Sequence, residues 1–424
     1  MRNKNSIMMK KPYLLYALLC ITIFGNVKAA DLYVRDLGAG GAYATISAAI
    51  SAANDGDRII IRPKTGNVPY LENLTINKSL TFTSEINFSK YYVKGDINLV
   101  PAVNRVITIN NMYAFQSSIA TSAVTLSGGR ATVNIINCTV DQNIDLDNSK
   151  NVTANVTQSS CKELSFVHGK VTANSISNLT LNDDTAPLAS SDVQIIANGL
   201  YTNTEFTNAI KITTTSYPIK IFNNDAQVQG INSIYISPAI TIYSIKAGST
   251  NIVQNNRFRT NHTSATISYL TDTMSISGTN SGIINIANNI FENSSSYSYH
   301  DHIDAGAASI ATVIANNNLC PQTCRMTGVD IANGNINNGV YTLNQYATPP
   351  LATGDIVNAG LAGEEYQDLD LTVNDIGPLG GSNSWVNYWP SNAGNKPRVM
   401  FLETPRVIYQ GTTTIQAEAT GISK

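Results

Sequence analysis

The stretch Ile286-Ala-Asn-Asn-Ile-Phe291 is one copy of a pattern that recurs along most of this chain. In each copy an Asn or Gln stands two residues after an apolar residue, inside a short run that is typical of a β-strand. Successive copies are 20 to 33 residues apart, and a repeat of this period predicts a solenoid. Amide side chains stacked at one bend of each coil would form a hydrogen-bonded ladder. The predicted ladder consists of Asn137, Gln158, Asn178, Asn198, Asn223, Asn255, Asn288 and Asn316.

The first 29 residues have the pattern of a secretory signal peptide. A basic segment is followed by an apolar run from Pro12 to Gly25 and by the small-x-small pattern Val27-Lys28-Ala29. The apolar run is shorter than the roughly 20 residues that a membrane-spanning helix needs. Cys20 follows two leucines, which is atypical of a lipoprotein cleavage site. The sequence therefore predicts export, with no transmembrane segment in the mature chain, to the extracellular space, the cell surface or the periplasm.

The composition of the remaining chain makes nucleic acid an unlikely partner class. It contains 22 basic and 29 acidic residues, a formal net charge of −7. Charged residues are 13% of the full sequence, about half the usual ~25%, whereas Asn, Ser and Thr are abundant. Such a chain would bind neither a phosphate backbone nor a strongly charged surface tightly. We expect a monomer with an uncharged surface rich in hydrogen-bonding groups.

A short amphipathic helix is predicted before the first coil. Ile46, Ala49, Ile50 and Ala53 share one face, and Asp55-Gly56 would end the helix. This helix would cover the open end of the first coil, where unpaired backbone groups would otherwise promote aggregation.

The segments Tyr43–Ile50, Asp55–Ile61 and Tyr70–Ile76 resemble the opening of right-handed parallel β-helix proteins of the pectate-lyase-like superfamily. The resemblance covers about residues 31–380 and implies an all-β solenoid. That superfamily includes lyases, hydrolases, esterases and adhesins, so the resemblance indicates a fold rather than an activity. Of the motifs that a polygalacturonase would show in order, this chain has only an Asp pair.

Four regions are predicted on this basis: a signal peptide (1–29), an N-terminal strand and capping helix (30–56), a parallel β-helix of about 10 to 13 coils (57–384), and a C-terminal β appendage or cap (385–424). The last coil would run through residues 354–377, and the appendage would pack on the end of the rod.

Export leaves four cysteines in a compartment where disulfides persist. Cys320 and Cys324 flank a tight loop just after the last repeat, and the sequence favours a disulfide between them over two buried thiols. Cys138 and Cys161 lie on adjacent predicted coils but at different positions of the repeat, so their pairing stays open.

One loop concentrates groups that could carry chemistry. Tyr297, Tyr299, His300, Asp301, His302 and Asp304 lie between the last two repeats. His300, Asp301, His302 and Asp304 are candidates for acid and base catalysis, whereas the tyrosines with His300, Asp301 and His302 could bind a sugar ring. A solvated polar loop without a function explains the same residues, and the sequence does not show that their side chains converge.

Two further groups are weaker candidates. Repeat alignment places Arg259 and Glu292 at the same position of adjacent coils, where they would form an exposed ion pair. Asp368, Asp370 and Asp375 could hold calcium, a cation that prefers six to eight oxygen ligands, although a turn rich in Asp and Asn explains the same pattern. No other cofactor is indicated.

The leading functional hypothesis is a secreted or surface protein that binds polysaccharide, or another surface molecule, without turnover. The alternatives are a lyase or hydrolase that acts on a glycan, which could be acidic, and a structural rod or adhesin. The question whether the protein is an enzyme is left open by the sequence.

Overall fold

The computed structural model describes residues 29–87, 89–185, 187–188, 191–204, 207–230, 236–262, 272–277, 280–293, 301–306, 309–389, 398–403 and 418–422. The chain forms a right-handed parallel β-helix, as predicted. One sheet, which we call sheet 1, contains 13 parallel strands. Its strands are Asp31–Val34, Arg58–Ile61, Leu80–Ser84, Val106–Asn110, Ala131–Ile136, Val152–Thr157, Gly169–Thr172, Val193–Ile196, Ile219–Phe222, Thr250–Gln254, Ile283–Ala287, Thr312–Asn316 and Ile331–Asn333.

Sheet 2 consists of two parallel rows of strands that follow the bend after sheet 1. The first row is Tyr70–Leu71, Tyr91–Lys94, Met112–Ala114, Thr139–Val140, Ser160–Phe166, Ser175–Leu181, Gly199–Thr202, Asp225–Gly230, Arg257–His262, Ile290–Asn293, Leu319–Cys320 and Ile336–Asn337. The second row is Leu74–Ile76, Ile97–Leu99, Ile119–Thr121, Asn143–Asp145, Ile210–Ile212, Ile240–Ile242, Met274–Ile276, Ile303–Ala305 and Met326–Thr327. Ser160–Phe166 and Ser175–Leu181 are long enough to belong to both rows.

Alternation along these strands creates a thin, continuous core. Inward residues such as Val133, Val156 and Ile221 are buried, and their neighbours point outward. Phe258 and Phe291 stack inside adjacent coils with ring centroids 5.6 Å apart. Strands of adjacent coils pair in register, so outward residues at the same position of successive coils line up along the rod. We call such a line a column.

The capping helix spans Ile46–Ala52 and buries Ile46, Ala49 and Ile50 against the first coil. Both of its ends are satisfied by charged side chains of the next coil. The Glu72 carboxylate accepts hydrogen bonds from the backbone N–H groups of Ile46 and Ser47, both at 2.8 Å. The Lys78 ammonium donates to carbonyl groups at the other end, including that of Ala53 at 2.6 Å. An anion at the first turn and a cation at the last turn also complement the helix dipole.

The amide ladder exists, but most of its members differ from the predicted ones, and at Asn224, Asn256 and Asn289 it runs one residue later than the sequence analysis placed it. In each rung the side-chain N–H group of one Asn donates a hydrogen bond of 2.9 to 3.1 Å to the side-chain carbonyl oxygen of the Asn on the next coil. Only Asn198 belongs to both the predicted and the observed ladder. The observed members are Asn174, Asn198, Asn224, Asn256, Asn289, Asn318 and Asn335.

Most of the other predicted members occupy the bend itself. Asn137, Gln158, Asn223, Asn255 and Asn288 have φ between 50° and 57°, the left-handed conformation that Asn tolerates better than most residues. Asn178 and Asn316 lie inside strands instead. Asn pairs such as Asn223-Asn224 explain the shift, because the first Asn turns the chain and the second one faces inward.

Residues 338–389, which we call the return segment, fold back along the outside of this bend. Within it the structure has one antiparallel hairpin, Tyr341–Asn344 with Leu351–Gly354, and the helix Trp385–Tyr388. Residues 354–377 therefore do not form a last coil, and parallel strand pairing ends at Asn337. The chain beyond Asn337 leaves the stacking direction of the coils and crosses them.

The bend residues hold the return segment in place. Asn255 donates a side-chain hydrogen bond of 2.7 Å to Asn374, and Asn223 donates one of 2.7 Å to the Gly380 carbonyl. Gln158 donates to the Tyr388 carbonyl at 3.0 Å. Gly380 is required because a Cβ there would lie 1.9 Å from the Asp375 carbonyl oxygen. The amides that the sequence analysis assigned to a ladder therefore bind a returning chain.

The C-terminal appendage is a hairpin of strands Arg398–Glu403 and Glu418–Ile422. The first strand contacts the helix Trp385–Tyr388, which packs on the bend residues Ala173 and Ala197. This contact places the hairpin beside the coils, in contrast to the expected cap on the end of the rod.

Cys320 and Cys324 form the predicted disulfide, with sulfur atoms 2.06 Å apart. Cys138 and Cys161 are both buried free thiols. Burial raises the pKa of Cys138 to about 11, so its thiol stays protonated.

Candidate functional site

The structure describes part of the predicted His/Asp cluster. Tyr297, Tyr299 and His300 lie outside the described residues. His302 is buried, and its Nδ1 accepts a hydrogen bond of 3.2 Å from the Arg325 backbone N–H. Asp304 points outward from strand Ile303–Ala305, and Asp301 lies 3.5 Å from the Arg325 guanidinium. Of the three candidate catalytic residues that the structure describes, Asp301 and Asp304 are partly exposed and His302 is not.

Asp272 joins these two carboxylates and was missed by the sequence analysis. Its carboxylate accepts a 3.1 Å hydrogen bond from the Asp301 backbone N–H and also contacts the Asp304 carboxyl group. Burial, followed by the charges of Asp304 and Asp301, raises the pKa of Asp272 to about 6. Burial raises the pKa of Asp304 as well. Asp272 and Asp301 hold equivalent positions of adjacent coils, so an alignment of the repeats would have placed the two residues side by side.

A second polar cluster lies at the turn before sheet 1. The Arg130 guanidinium is 3.2 Å from the buried Asp184 carboxylate, and the Tyr217 hydroxyl donates to the same carboxylate at 2.8 Å. His168 packs on the Tyr217 ring with centroids 4.5 Å apart. Burial, and then the Arg130 charge, lowers the pKa of His168 to about 4. His168 and Asp184 therefore belong to a buried polar cluster that stabilises the turns between coils.

His168 should make the stability of the rod depend on pH. Its pKa is lower in the folded than in the unfolded chain, so the unfolded chain binds the additional proton. Stability should therefore be lost as the pH falls from about 6.5 to about 4, by roughly 3 kcal/mol in total. Urea unfolding across this range should show a steeper decline for the native protein than for His168→Gln. Parallel profiles for the two proteins would contradict this assignment.

A charged cluster lies on the first row of sheet 2. Arg259 stands opposite Glu292 in the strand register, as the repeat alignment predicts. Their ion pairs are different from those expected, because Arg259 binds Asp225 at 2.8 Å and Arg257 binds Glu292 at 2.6 Å. Asp225 is buried, so its pair with Arg259 lies beneath the surface.

The return segment closes over this charged cluster. The Tyr346 hydroxyl donates to Asp225 at 3.0 Å, and Tyr341 donates to Glu292. Burial, followed by the neighbouring carboxylate, raises the pKa of both tyrosines. An open cleft of about 480 Å³ lies beside Arg257, Glu292 and Tyr341. The two ion pairs lie within the coils, and the hydrogen bonds from Tyr341 and Tyr346 attach the return segment to their carboxylates.

Aromatic rings lie together on the outward side of the same row. In this set, which we call the first ring cluster, Tyr92 and Tyr113 stand in register on adjacent strands with centroids 4.6 Å apart, and Phe115 lies 6.0 Å from Tyr113. These three rings are half-buried, and the exposed Lys94 ammonium lies 5.7 Å from the Phe115 centroid. The sequence analysis missed this cluster because Tyr92 and Tyr113 are adjacent only after the coils stack.

Tyr201 and Tyr346 are two exposed tyrosines of the later coils and the return segment, with exposed fractions of 49% and 63%. Tyr201 donates its hydroxyl proton to Gln229. Tyr346 lies over Gly199, where an added Cβ would be 3.3 Å from its hydroxyl, and it contacts Trp385 edge-on at 5.3 Å. Gly199 therefore provides the space in which a residue of the return segment joins the face of the coils.

The proposed calcium ligands act as hydrogen-bond acceptors within one turn. Asp368 accepts from the backbone of Asp375 at 3.0 Å, Asp375 accepts from Asn358 at 2.7 Å, and Asp370 accepts from Thr372 at 2.6 Å. Within the described part of the chain, no group of three or more His, Cys, Asp or Glu side chains is placed to hold a metal ion. The calcium hypothesis gains no support from this geometry.

Among the described residues no helix is both long enough and apolar enough to cross a bilayer. Comparison with protein-family models, with curated proteins and with solved structures finds no match to this chain. The fold therefore stands on the strand topology alone, and any functional assignment depends on the side chains described above.

Proposed function

We propose that this chain is an exported β-helix protein that binds polysaccharide, or another surface carbohydrate, on the first row of sheet 2 without turning it over. The first ring cluster carries this proposal. Tyr92, Tyr113 and Phe115 are half-buried rings that lie together at the protein surface, each with part of its apolar face exposed. Aromatic rings can stack on the C–H face of a sugar ring while nearby hydroxyl and ammonium groups bind its oxygens.

The rigidity of the first ring cluster supports the same function. Tyr92 and Tyr113 project from strands that pair with a neighbour on both sides, and Phe115 directly follows the second of these strands, so little conformational entropy is lost when a sugar binds. The Thr139 hydroxyl follows Tyr113 in register on the next coil and accepts a hydrogen bond of 2.6 Å from Lys90. A hydroxyl and an ammonium group thus lie beside the rings, where they could bind the oxygens of a sugar.

Tyr113→Ala should weaken binding of the best glycan by at least about tenfold, a change of about 1.4 kcal/mol. The ring is largely outward, so the free energy of unfolding should change by less than about 1 kcal/mol. A glycan array and affinity electrophoresis in polysaccharide gels would measure binding by residues 30–424. Tyr33→Ala is the matched control, because Tyr33 is an exposed ring on sheet 1. Equal binding by the two variants would remove the ring cluster from the site.

A lyase or hydrolase is the second candidate, and the Asp272–Asp304 carboxyl pair favours it. The two carboxyl groups contact each other, and burial raises the pKa of both, so the pair could take up and release a proton as an acid and a base do. A degradation screen over acidic and neutral polysaccharides, with and without calcium, should be run on the native chain and on Asp272→Asn. Product that disappears in the variant would establish an enzyme. If binding and turnover are both absent, a structural rod or adhesin becomes the best account.

We further propose export through the signal peptide 1–29 and membership of the pectate-lyase-like superfamily. The basic and apolar pattern of residues 1–29 supports the first proposal, and the opening motif 43–76 supports the second. A mass measurement of the protein recovered from the producing cell would show whether cleavage occurs after Ala29.

A further inference from the structure

The rod has one covered end and one open end. The capping helix Ile46–Ala52 packs on the first coil and covers its core. At the other end lie the strands Met326–Thr327, Ile331–Asn333 and Ile336–Asn337, which we call the end coil. Among the described residues each of these strands pairs with an earlier strand on one side only. Their other edges carry backbone N–H and C=O groups that could pair with a further strand.

The apolar core is also open at this end. Ala332 follows Ala315 in register, and Ile336 follows Leu319. Ala315 and Leu319 are fully buried, whereas Ala332 is exposed and Ile336 is only partly buried. The C-terminal hairpin does not cover these residues, because it contacts the helix Trp385–Tyr388, which packs on much earlier coils. Within the part of the chain that the structure describes, the core therefore ends at solvent.

The amide ladder ends at the same place without its usual acceptor. Asn289 donates both its backbone N–H and its side-chain N–H to the Oδ1 atom of Asn318, each at 3.0 Å. Asn318 donates in the same way to Asn335, at 2.9 and 3.1 Å. No described coil follows Asn335, so its backbone N–H lacks the acceptor that its counterparts have.

The end coil carries none of the usual protection of an exposed edge. Edge strands of monomeric proteins commonly contain Lys or Pro, which discourage pairing with another chain. Residues 326–340 contain neither, and Asp330 is their only charged residue. The Asp330 carboxylate accepts a hydrogen bond of 2.7 Å from the Val313 backbone N–H. An edge with a single charge can approach its own copy without strong repulsion.

We propose that the end coil is the interface of a closed dimer, in which two copies of this chain stack end to end about a two-fold axis. The axis passes through the centre of Ile331–Asn333 and sets this strand antiparallel to its own copy, so that donors face acceptors. It also exchanges the two rows of sheet 2, which brings Ile336 of one copy opposite Met326 of the other. The bend of one copy then faces the turn before sheet 1 of the other, where the Asp330 carboxylate is an acceptor for Asn335.

The covered first coil limits this assembly to two copies. A head-to-tail stack would need a free edge at both ends of the rod and would continue into a fibre. The capping helix Ile46–Ala52 occupies one end, so only the two end coils can meet. This dimer replaces the monomer that the composition led us to expect, and it does not depend on carbohydrate binding.

Sedimentation equilibrium of residues 30–424 at roughly 1 to 100 µM tests the proposal. The native chain should change from the monomer mass to twice that mass within this range, because one coil end is smaller than a standard interface and should give about micromolar affinity. Ala332→Lys places two ammonium groups together at the axis and should weaken association at least about tenfold. Mixing this variant with Ala332→Glu should restore association as a heterodimer, because unlike charges then meet.

Ile283→Lys is the control for an added lysine. Ile283 is 38% exposed on sheet 1, in the column of Thr250 and Thr312, and its strand is paired on both sides. This variant should dimerise as the native chain does. A native chain that stays monomeric at the highest concentration would overturn the proposal. A dimer that Ala332→Lys leaves intact, or assemblies of more than two copies, would overturn it as well.

Hydrogen exchange of the native chain tests the interface without a substitution. The backbone N–H groups of residues 331–337 should exchange more slowly at ~100 µM than at ~1 µM, because pairing with the second copy protects them. The capping helix Ile46–Ala52 should exchange at the same rate at both concentrations. Exchange in residues 331–337 that does not depend on concentration would place any dimer interface elsewhere and contradict the end-to-end arrangement.

Discussion

Replacing Asn256 by Ala should destabilise the rod by roughly 3 to 5 kcal/mol. The Asn256 side chain is fully buried and makes five hydrogen bonds. Its Oδ1 accepts from the backbone and the side chain of Asn224, and its Nδ2 donates to Ile221, Gln254 and Asn289, all at 2.9 Å. Alanine would leave several of these partners buried without a hydrogen bond, and each such group costs about 1 to 3 kcal/mol.

The control for this substitution is Asn137→Gly. Asn137 occupies the bend with φ of 50°, a conformation that Gly adopts without strain, so the cost should stay below about 1 kcal/mol. Urea unfolding followed by far-UV circular dichroism would compare the two variants. Similar losses at Asn137 and Asn256 would contradict the assignment of the ladder to the residue after the bend.

Trp385→Ala should detach the return segment before the coils unfold. Trp385 is buried against Ala173, Ile196 and Ala197 and stacks on Trp389 with centroids 5.5 Å apart. Loss of a buried Trp side chain costs about 3 to 5 kcal/mol. The return segment pairs with no strand of sheets 1 and 2, so this loss should appear as local opening rather than as global unfolding.

Limited proteolysis is the direct measurement of this opening. Cleavage within residues 356–384 should accelerate roughly 100-fold in Trp385→Ala, because about 3 kcal/mol corresponds to two decades in the open population. Leu371→Ala is the control in the same segment, since Leu371 is 74% exposed. The prediction is wrong if the cleavage rate stays unchanged while the urea midpoint of the coils falls. Both tryptophans of the chain lie in this region, so native fluorescence reports on its attachment.

The Trp385→Ala prediction also bears on the charged cluster of the coils. Opening of the return segment would remove the Tyr346 hydroxyl from the Asp225 carboxylate. Leu371→Ala should leave this hydrogen bond in place.

The ladder shows how far the repeat pattern predicts structure. The spacing of Asn and Gln indicates a parallel β-helix with amides at one bend, and this conclusion is confirmed. The pattern does not distinguish the residue that turns the chain from the one that faces inward, because Asn suits both positions. Asn255 and Asn256 are both buried, but only Asn255 has a positive φ, because it occupies the bend.

The candidate sites depended on the stacking of coils. Asp272 precedes Asp301 by 29 residues, and Tyr92 precedes Tyr113 by 21, so neither pair forms a local motif. Tyr346 lies in the return segment and contacts Asp225, which is 121 residues earlier in the sequence. The repeat pattern does not predict this contact. The predicted ion pair between Arg259 and Glu292 is wrong. Arg259 binds Asp225 instead, and Glu292 binds Arg257, which lies two residues earlier on the same strand.

The sequence by itself determined the solenoid, its capping helix and the Cys320–Cys324 disulfide. Each of these depends on local spacing: strand alternation, an apolar helix face and two cysteines in a tight loop. Only the tertiary structure decided which side chains meet on the outer face and where the chain goes after Asn337. Register between coils aligns residues that are 15 to 34 positions apart, and the path of the return segment follows from hydrogen bonds to bend residues on different coils.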